Sequence, residues 1–164
     1  MTGKALLTAL NAQLNLELYS SNIYLQMSAW LQAHGLFGCA GFLRKQAAEE
    51  LQHMGKLFDY LNETGTMAVV GEVEAPPEQF ASIEQLFKQA FAHEQRVTAS
   101  INALVEASLK EKDYATFNFL QWYVAEQREE EGLFRTILDK LAMIGPDGRG
   151  LFFFDREIGA LTGK

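Results

Sequence analysis

Four long segments of helical periodicity, separated by breaks of very unequal length, constrain the fold of this chain more than any other feature. Apolar residues recur at three- and four-residue steps over about 4–33, 36–62, 82–110 and 114–143. The chain of 164 residues has three prolines, two of them adjacent, and all three lie outside these segments. Each segment therefore predicts a helix of about 27 to 30 residues, roughly 40 to 45 Å long.

Residues that favour helix ends stand at the borders of these segments. Gly35 follows the first segment and favours a C-cap there. Ser82, with Gln85 three positions later, resembles a capping box, and Asp113 is an expected N-cap for the fourth helix. The tail "LFFFDREIGAL" predicts a short fifth helix at about 147–159.

The connections between the segments predict the topology. The first and second segments, and likewise the third and fourth, are joined by a few residues, so each pair forms antiparallel neighbours. Residues 65–81 are too many for a simple turn. Fully extended they reach roughly 55 Å, the length of a whole bundle. We therefore expect one all-α domain over residues 1–164, a four-helix bundle with one long crossover and parallel second and third helices.

Composition excludes several classes of function. A net charge of −7 argues against nucleic acid as a partner and suits cations. The single cysteine, Cys39, permits no internal disulfide and fits a reducing cytoplasm. The first twenty residues lack the apolar region of a signal peptide. No run of about 18 apolar residues predicts a membrane span.

Every predicted apolar stripe is interrupted near its middle by acidic or amide residues. The apolar positions, helix by helix, are Leu7, Leu10, Leu14, Tyr24 and Leu31; Ala47, Leu51, Met54 and Leu57; Ile83, Phe87, Ala90, Val97, Ile101 and Leu104; and Phe117, Leu120, Val124 and Phe134. The polar residues on the same faces are Glu17; Glu50 and His53; Glu94; and Gln127 and Glu130.

The spacing of these polar residues repeats between the two halves of the chain. Glu50 and His53 follow Glu17 by 33 and 36 positions. An amide and an acid follow Glu94 by the same 33 and 36 positions. Two similar helix pairs, related by an approximate two-fold axis, would bring all of these side chains to one level inside the bundle.

Buried acids at one level need a compensating charge. An isolated buried ion costs several kcal/mol, and neighbouring carboxylates would force one another to take up protons. Two divalent or trivalent cations remove both difficulties. Carboxylate and imidazole ligands without a thiolate favour iron or manganese over structural zinc. Taken singly, each acid also fits a boundary residue that reaches water, so the metal interpretation depends on the repeated spacing.

With these residues in place, the chain resembles the bacterial non-haem ferritins of the iron-storage type, and among them the ferritin A group of enteric bacteria. The matching stretches are "NLELYSSNIYLQMSAW", "FLRKQAAEELQHMGKLFDYL", "DYATFNFLQWYVAEQREEE" and "LFFFDREI". The resemblance covers essentially the whole chain. It implies a ferritin-like bundle that oxidises Fe²⁺ with O₂ or H₂O₂ and stores Fe³⁺ as a hydrated oxide.

The resemblance also implies which residues hold iron at a diiron ferroxidase centre. One iron would be bound by Glu17, Glu50 and His53, and the second by Glu94 and Glu130, with Glu50 bridging the two.

A third iron site is implied beside this centre, on the cavity side of the bundle. Its ligands would be Glu49, Glu126 and Glu129, with Glu130 shared. Gln127 would lie beside the second iron, hydrogen-bonded to an oxygen species rather than acting as a ligand.

Two aromatic residues match family positions near the irons. Tyr24 and Trp122 are expected to donate electrons during oxygen reduction, although plain core packing would also explain both. Two departures argue against a haem-binding bacterioferritin. Gln127-x-x-Glu130 stands where that family has a second ExxH motif, and Leu51 stands where it has a haem-ligating methionine.

Storage requires a container larger than one bundle. The apolar residues of the stretches "LFFF" and "TMAVV" predict contacts with other copies of the chain. The resemblance implies a shell of 24 subunits. Two other classes of function stay open at this point. One is a diiron or dimanganese enzyme acting on organic substrates or peroxide, and the other is a helical assembly protein without catalysis.

Overall fold

The computed structural model describes residues 3–145 and 148–161, which form five helices and no strand. The helices are α1 (Lys4–Ala33), α2 (Phe37–Glu63), α3 (Ile83–Lys110), α4 (Tyr114–Ile144) and α5 (Gly148–Gly159). The predicted all-α bundle with a long crossover and a short fifth helix is confirmed. The first residue expected in the tail helix, at position 147, lies outside the described residues.

Two apolar clusters establish how the helices run. One cluster joins residues 23–31 of α1, 39–47 of α2, 86–90 of α3 and 134–141 of α4. The other joins residues 6–14, 57–61, 97–104 and 120–123 of the same helices. The early parts of α2 and α3 therefore lie at the same end of the bundle, so these helices are parallel, as the crossover length predicts. Between the two clusters, the bundle has a cross-sectional level that neither cluster occupies.

The expected helix ends have the geometry that their residues favour. The Ser82 hydroxyl accepts a hydrogen bond from the Gln85 amide at 3.1 Å, and Asp113 accepts one from Thr116 at 3.0 Å. Gly35 follows α1 with a φ of 75°, a left-handed conformation that glycine adopts without a steric penalty.

The crossover runs along α1 in an extended conformation and is tied down by two asparagines. The Val69 amide donates to the Asn11 side chain at 2.7 Å, and the Gly71 amide donates to Asn15 at 2.7 Å. Met67 and Val69 are nevertheless exposed, by 77% and 50%. This agrees with the expectation that this segment presents apolar side chains outward.

The tail helix α5 packs across the start of α2. The carboxylate of Asp155 accepts hydrogen bonds from the Gly38 and Cys39 amides at 3.0 and 2.8 Å, so it caps α2 from another element. Phe154 is buried against the bundle, whereas Phe152 and Phe153 are exposed.

Two expected core positions are wrong. Leu51 is 46% exposed and Val124 is 37% exposed. In α4 the buried face passes through Leu120, Tyr123 and Gln127, so Val124 lies one residue off it. Among residues 3–145 and 148–161, no helix has the length and apolar character needed to cross a membrane.

Candidate metal centre

Six polar side chains from the four long helices fill the level between the two apolar clusters. All are at least 96% buried: Glu17, Glu50, His53, Glu94, Gln127 and Glu130. Each lies on a helix face whose neighbouring positions are apolar, so the helices direct these side chains inward with the core. The structure thus brings the predicted residues together, which the sequence spacing could only lead us to expect.

Glu17, Glu50 and His53 form the tightest group. One ligand atom from each lies within 4.8 Å of the others, close enough to share a metal ion. His53 Nδ1 lies 3.1 Å from Glu50 Oε2, and the Gln13 amide donates to Glu17 Oε1 at 2.7 Å. The second oxygen, Glu17 Oε2, is buried and has no hydrogen-bond partner within the described residues. A buried oxygen in that state fits a cation ligand, and the oxygen and nitrogen donors fit iron.

Glu94 and Glu130 lie beside this group but do not join the cluster of three in the described structure. Glu94 accepts hydrogen bonds from the Tyr24 hydroxyl and, at 3.0 Å, from the Gln127 amide. Glu130 accepts one from the Gln46 amide at 2.9 Å. Hydrogen bonds to both oxygens of Glu94 and to one oxygen of Glu130 thus hold the orientation of these two carboxylates.

The electrostatics of this level favour cation binding. Burial raises the pKa of Glu17 and of Glu50 well above the usual range, and repulsion from neighbouring carboxylates adds to the effect. Burial likewise raises the pKa of Glu94, although the Tyr24 and Gln127 hydrogen bonds oppose the shift. Burial and repulsion from Glu94 raise the pKa of Glu130 to about 8. The raised pKa values favour the protonated carboxyls without a cation, so a metal ion that binds here competes with protons.

A cavity of about 550 Å³ opens beside His53. Its lining includes Glu49, Glu126, Glu129 and Glu130, the four acids expected at a third iron site. Glu126 Oε1 lies 3.8 Å from His53 Nε2. The acids of α2 and α4 therefore face one space that is continuous with the buried centre.

The two expected electron donors lie on different sides of the centre. Tyr24 is fully buried and donates to Glu94. Trp122 is 38% exposed, lies edge-on to His53 with ring centroids 5.2 Å apart, and has Lys56 Nζ 4.5 Å from its ring centroid. Tyr24 therefore contacts Glu94 and Trp122 contacts His53, two of the predicted iron ligands.

Three supporting residues were missed by the reasoning from sequence. Gln13 and Gln46 orient Glu17 and Glu130, and the Tyr123 hydroxyl donates to the His53 carbonyl oxygen at 2.6 Å. A signal for the two glutamines existed, because each precedes an acid on its own helix by four positions and they are themselves 33 positions apart.

Comparison with known proteins shows the family. A family described as the ferritin-like domain matches residues 7–144. A probable bacterial non-heme ferritin-like protein of Haemophilus influenzae is 52% identical over 164 residues, covering 100% of this chain and 99% of the relative. A bacterial non-heme ferritin of Escherichia coli O157:H7 is 51% identical over 152 residues, covering 93% and 92%.

Solved structures agree with these relatives. An open pore ferritin from the hyperthermophilic archaeon Archaeoglobus fulgidus matches with a TM-score of 0.97 and 42% identity, covering 99% of this chain and 100% of the other. A Chlorobium tepidum ferritin matches with a TM-score of 0.88 and 52% identity, covering 96% and 98%. The resemblance in the sequence motifs is thereby confirmed, and the chain belongs to the ferritin family.

Proposed function

We propose that this protein is an iron-storage ferritin with ferroxidase activity. It binds Fe²⁺ at the buried centre, passes electrons from it to O₂ or H₂O₂, and keeps the Fe³⁺ product as a hydrated oxide inside a homo-oligomeric shell. The observation that carries the proposal is the buried level of four carboxylates and one imidazole, in which one carboxylate oxygen has no hydrogen-bond partner among the described residues. Such a level is stable as a charged site only when cations occupy it.

Binding of the substrate begins with proton release. Fe²⁺ held by Glu17, Glu50 and His53 displaces the protons that burial places on the two carboxyls. A second Fe²⁺ would be held by Glu94 and Glu130, with Glu50, which is close enough to both acids for their charges to raise its pKa, as the shared ligand. Hard oxygen ligands favour the ferric product, so the donor set favours oxidation.

Supporting residues keep the geometry fixed during turnover. Gln127 donates to Glu94, and Gln46 donates to Glu130, so neither carboxylate rotates freely. Tyr24 supplies an ionisable hydroxyl directly on Glu94 and serves as an electron donor there. Trp122, in edge contact with His53, serves the same purpose from the cavity side.

The acid-lined cavity is the route by which iron leaves the centre. Glu49, Glu126 and Glu129 offer a third iron site with weaker desolvation than the buried level, because Glu49 and Glu126 are partly exposed and Glu129 is exposed. Ligation there is correspondingly more labile. Fe³⁺ can then pass to a growing mineral.

The container is an assembly of identical chains in the cytoplasm, with the 24-subunit shell of the family as its form. Exposed apolar side chains of the crossover and of α5, among them Val70 at 55% and Phe152 at 68%, are the surfaces for burial between copies. No haem is needed for this function, and Leu51 is not a haem ligand.

The test is Fe²⁺ oxidation by wild type and Glu50→Ala, followed by ferric absorbance and oxygen consumption in air. Glu50→Ala should slow the first turnover by about 100-fold or more, because altering even a supporting residue of a metal site costs about 10- to 100-fold. Glu63→Ala, an exposed acid at the end of α2, is the matched control and should oxidise Fe²⁺ at the wild-type rate.

Size-exclusion chromatography after the reaction tests storage. A large, rust-coloured particle is expected from wild type. A small and colourless one would contradict storage, and rapid oxidation by Glu50→Ala would contradict the site.

A further inference from the structure

A row of three aromatic rings connects the metal centre with the outer part of the bundle. Tyr24 is fully buried, and its hydroxyl donates to Glu94. His93 lies edge-on to Tyr24, with ring centroids 6.0 Å apart and an interplanar angle of 85°. On its other side His93 contacts Tyr19, with centroids 5.5 Å apart at 67°. These separations are those of aromatic rings in contact.

The middle ring of this row is held in one state. Ser20 Oγ donates its proton to the Leu16 carbonyl oxygen at 3.0 Å and lies 2.7 Å from His93 Nε2. Because the hydroxyl has one proton, the imidazole donates to it through Nε2. The hydrogen bond between His93 and Ser20 holds the imidazole ring between the two tyrosines.

The outer ring differs from the inner one in its access to solvent and charge. Tyr19 is partly exposed, whereas Tyr24 has no exposed surface. Glu74 and Arg96 are close enough to Tyr19 to act on its charge, and the partial exposure of Tyr19 gives its phenol proton access to water. A carboxylate and water are thus available to take that proton when the phenol is oxidised.

Tyr24 has a second ring neighbour, but that ring is not an electron donor. Phe134 stacks on Tyr24 with centroids 5.7 Å apart at 20°. A benzene ring is much harder to oxidise than a phenol. An electron vacancy on Tyr24 therefore has an accessible exit toward Tyr19 and none through Phe134.

We propose that Tyr19, acting across His93, returns an electron to oxidised Tyr24 and so carries the oxidising equivalent out of the buried centre. The inference rests on the proposed function, because O₂ or H₂O₂ reduced at the centre is the oxidant. It assigns Tyr19 as the outer electron donor and His93 as the residue that positions the two phenols in contact with one bridging ring.

The step balances as follows in atoms and electrons. O₂ needs four electrons to become water, so three from Fe²⁺ leave one to be supplied; H₂O₂ needs two, so one from a single Fe²⁺ likewise leaves one. Tyr24 gives this last electron to the oxidant and its hydroxyl proton to the Glu94 carboxylate, while the water formed takes its protons from solvent. Tyr19 then gives one electron across His93 to Tyr24 and its own proton to water or Glu74, and Tyr24 recovers its proton from Glu94. A water-soluble one-electron reductant of the ascorbate or thiol class restores the Tyr19 phenol.

The experiment uses the full assembled protein, loaded anaerobically with Fe²⁺, mixed with H₂O₂ and freeze-quenched for electron paramagnetic resonance. Tyr19→Phe should leave a tyrosyl radical that decays several-fold more slowly than in wild type, since the outer donor is gone. Tyr19→Trp keeps an oxidisable ring and should restore fast decay. Tyr114→Phe removes a tyrosine that is 66% exposed at the start of α4 and should change nothing.

Two further variants test the direction and the bridge. Tyr24→Phe should abolish radical formation and oxidative modification at Tyr19, which mass spectrometry of digested protein after repeated turnover measures. His93→Leu should slow radical decay as Tyr19→Phe does, and His93→Phe, which keeps a ring, should slow it less.

Each outcome decides between the two levels of proposal. No tyrosyl radical in wild type, unchanged decay in Tyr19→Phe, or Tyr19 oxidation that persists in Tyr24→Phe would overturn the electron path. If Fe²⁺ oxidation is fast and dependent on Glu50 in that case, the proposed function is kept and only the electron path is rejected. Loss of Fe²⁺ oxidation in wild type would overturn both.

Discussion

Replacing Glu130 by glutamine should stabilise the protein without metal and weaken its metal site at the same time. Glu130 is 4% exposed, and its Oε2 accepts a hydrogen bond from the Gln46 amide at 2.9 Å. A glutamine is nearly isosteric, and its amide oxygen can accept the same bond. The substitution therefore removes a buried ionisable group while keeping packing and hydrogen bonding.

The magnitude follows from the pKa of Glu130, which burial and repulsion from Glu94 raise from 4.5 to about 8. A raised carboxyl pKa means that the folded protein keeps a proton that the unfolded chain loses. Stability from this group is complete below the unfolded pKa and is lost as pH rises toward the folded one. At 1.36 kcal/mol per pKa unit, the roughly 2.5 units between the unfolded pKa and pH 7 correspond to a loss of about 3 kcal/mol.

The assay is thermal unfolding of the metal-free protein at fixed protomer concentration, at pH 5 and pH 7. We expect Glu130→Gln to unfold about 6 to 12 °C above wild type at pH 7, because a protein of this size gains about 2 to 4 °C per kcal/mol. The difference should shrink at pH 5. Glu78→Gln, an exposed acid of the crossover, should leave the unfolding temperature unchanged at both pH values.

Metal reverses the order of stability. With Zn²⁺, which binds without oxidation, wild type should gain more stability than Glu130→Gln, because the variant has lost a ligand. A Glu130→Gln protein that is less stable than wild type at pH 7 without metal, or that shows the wild-type pH dependence, would refute the reasoning.

Two further predictions concern the tail helix and proton release. Gly38→Ala would place its Cβ 2.0 Å from the backbone oxygen of Asp155, so α5 should detach and residues 148–159 should exchange amide hydrogens faster. Gly41→Ala is the control, because its Cβ meets nothing within 4 Å, and it should not alter exchange. Unchanged exchange in Gly38→Ala would contradict the docking described for α5. Zn²⁺ titration of the unbuffered apoprotein at pH 7 should release protons, and Glu17→Gln should release fewer, because burial raises the pKa of that carboxyl. Equal release by both proteins would contradict the raised pKa of Glu17.

Much of the centre was predictable because it repeats along the chain. The offsets of 33 and 36 positions place Glu17, Glu50 and His53, and then Glu94 with its partners, at matching depths on their helices. Periodicity also fixes the face on which each residue lies, to within about one residue. That tolerance explains the two errors, since Leu51 is adjacent to buried Glu50 and Val124 to buried Tyr123, and both lie just off the inward face.

Contacts between helices were not predictable in the same way. The bond from Gln46 to Glu130 joins α2 to α4, and the aromatic row joins Tyr19 and Tyr24 of α1 through His93 of α3. Both depend on how far each helix is rotated about its own axis and on where the helices cross. Single-helix periodicity contains neither quantity.

By itself, therefore, the sequence determined the number of helices, their order and direction, and the level at which acids interrupt the core, because these follow from local periodicity and connection length. The tertiary structure alone decided which donors hold each carboxylate, which oxygen of Glu17 is left without a partner, and that Asp155 of the tail caps α2. Those features arise where side chains from distant segments meet, and packing of the whole bundle determines how they meet.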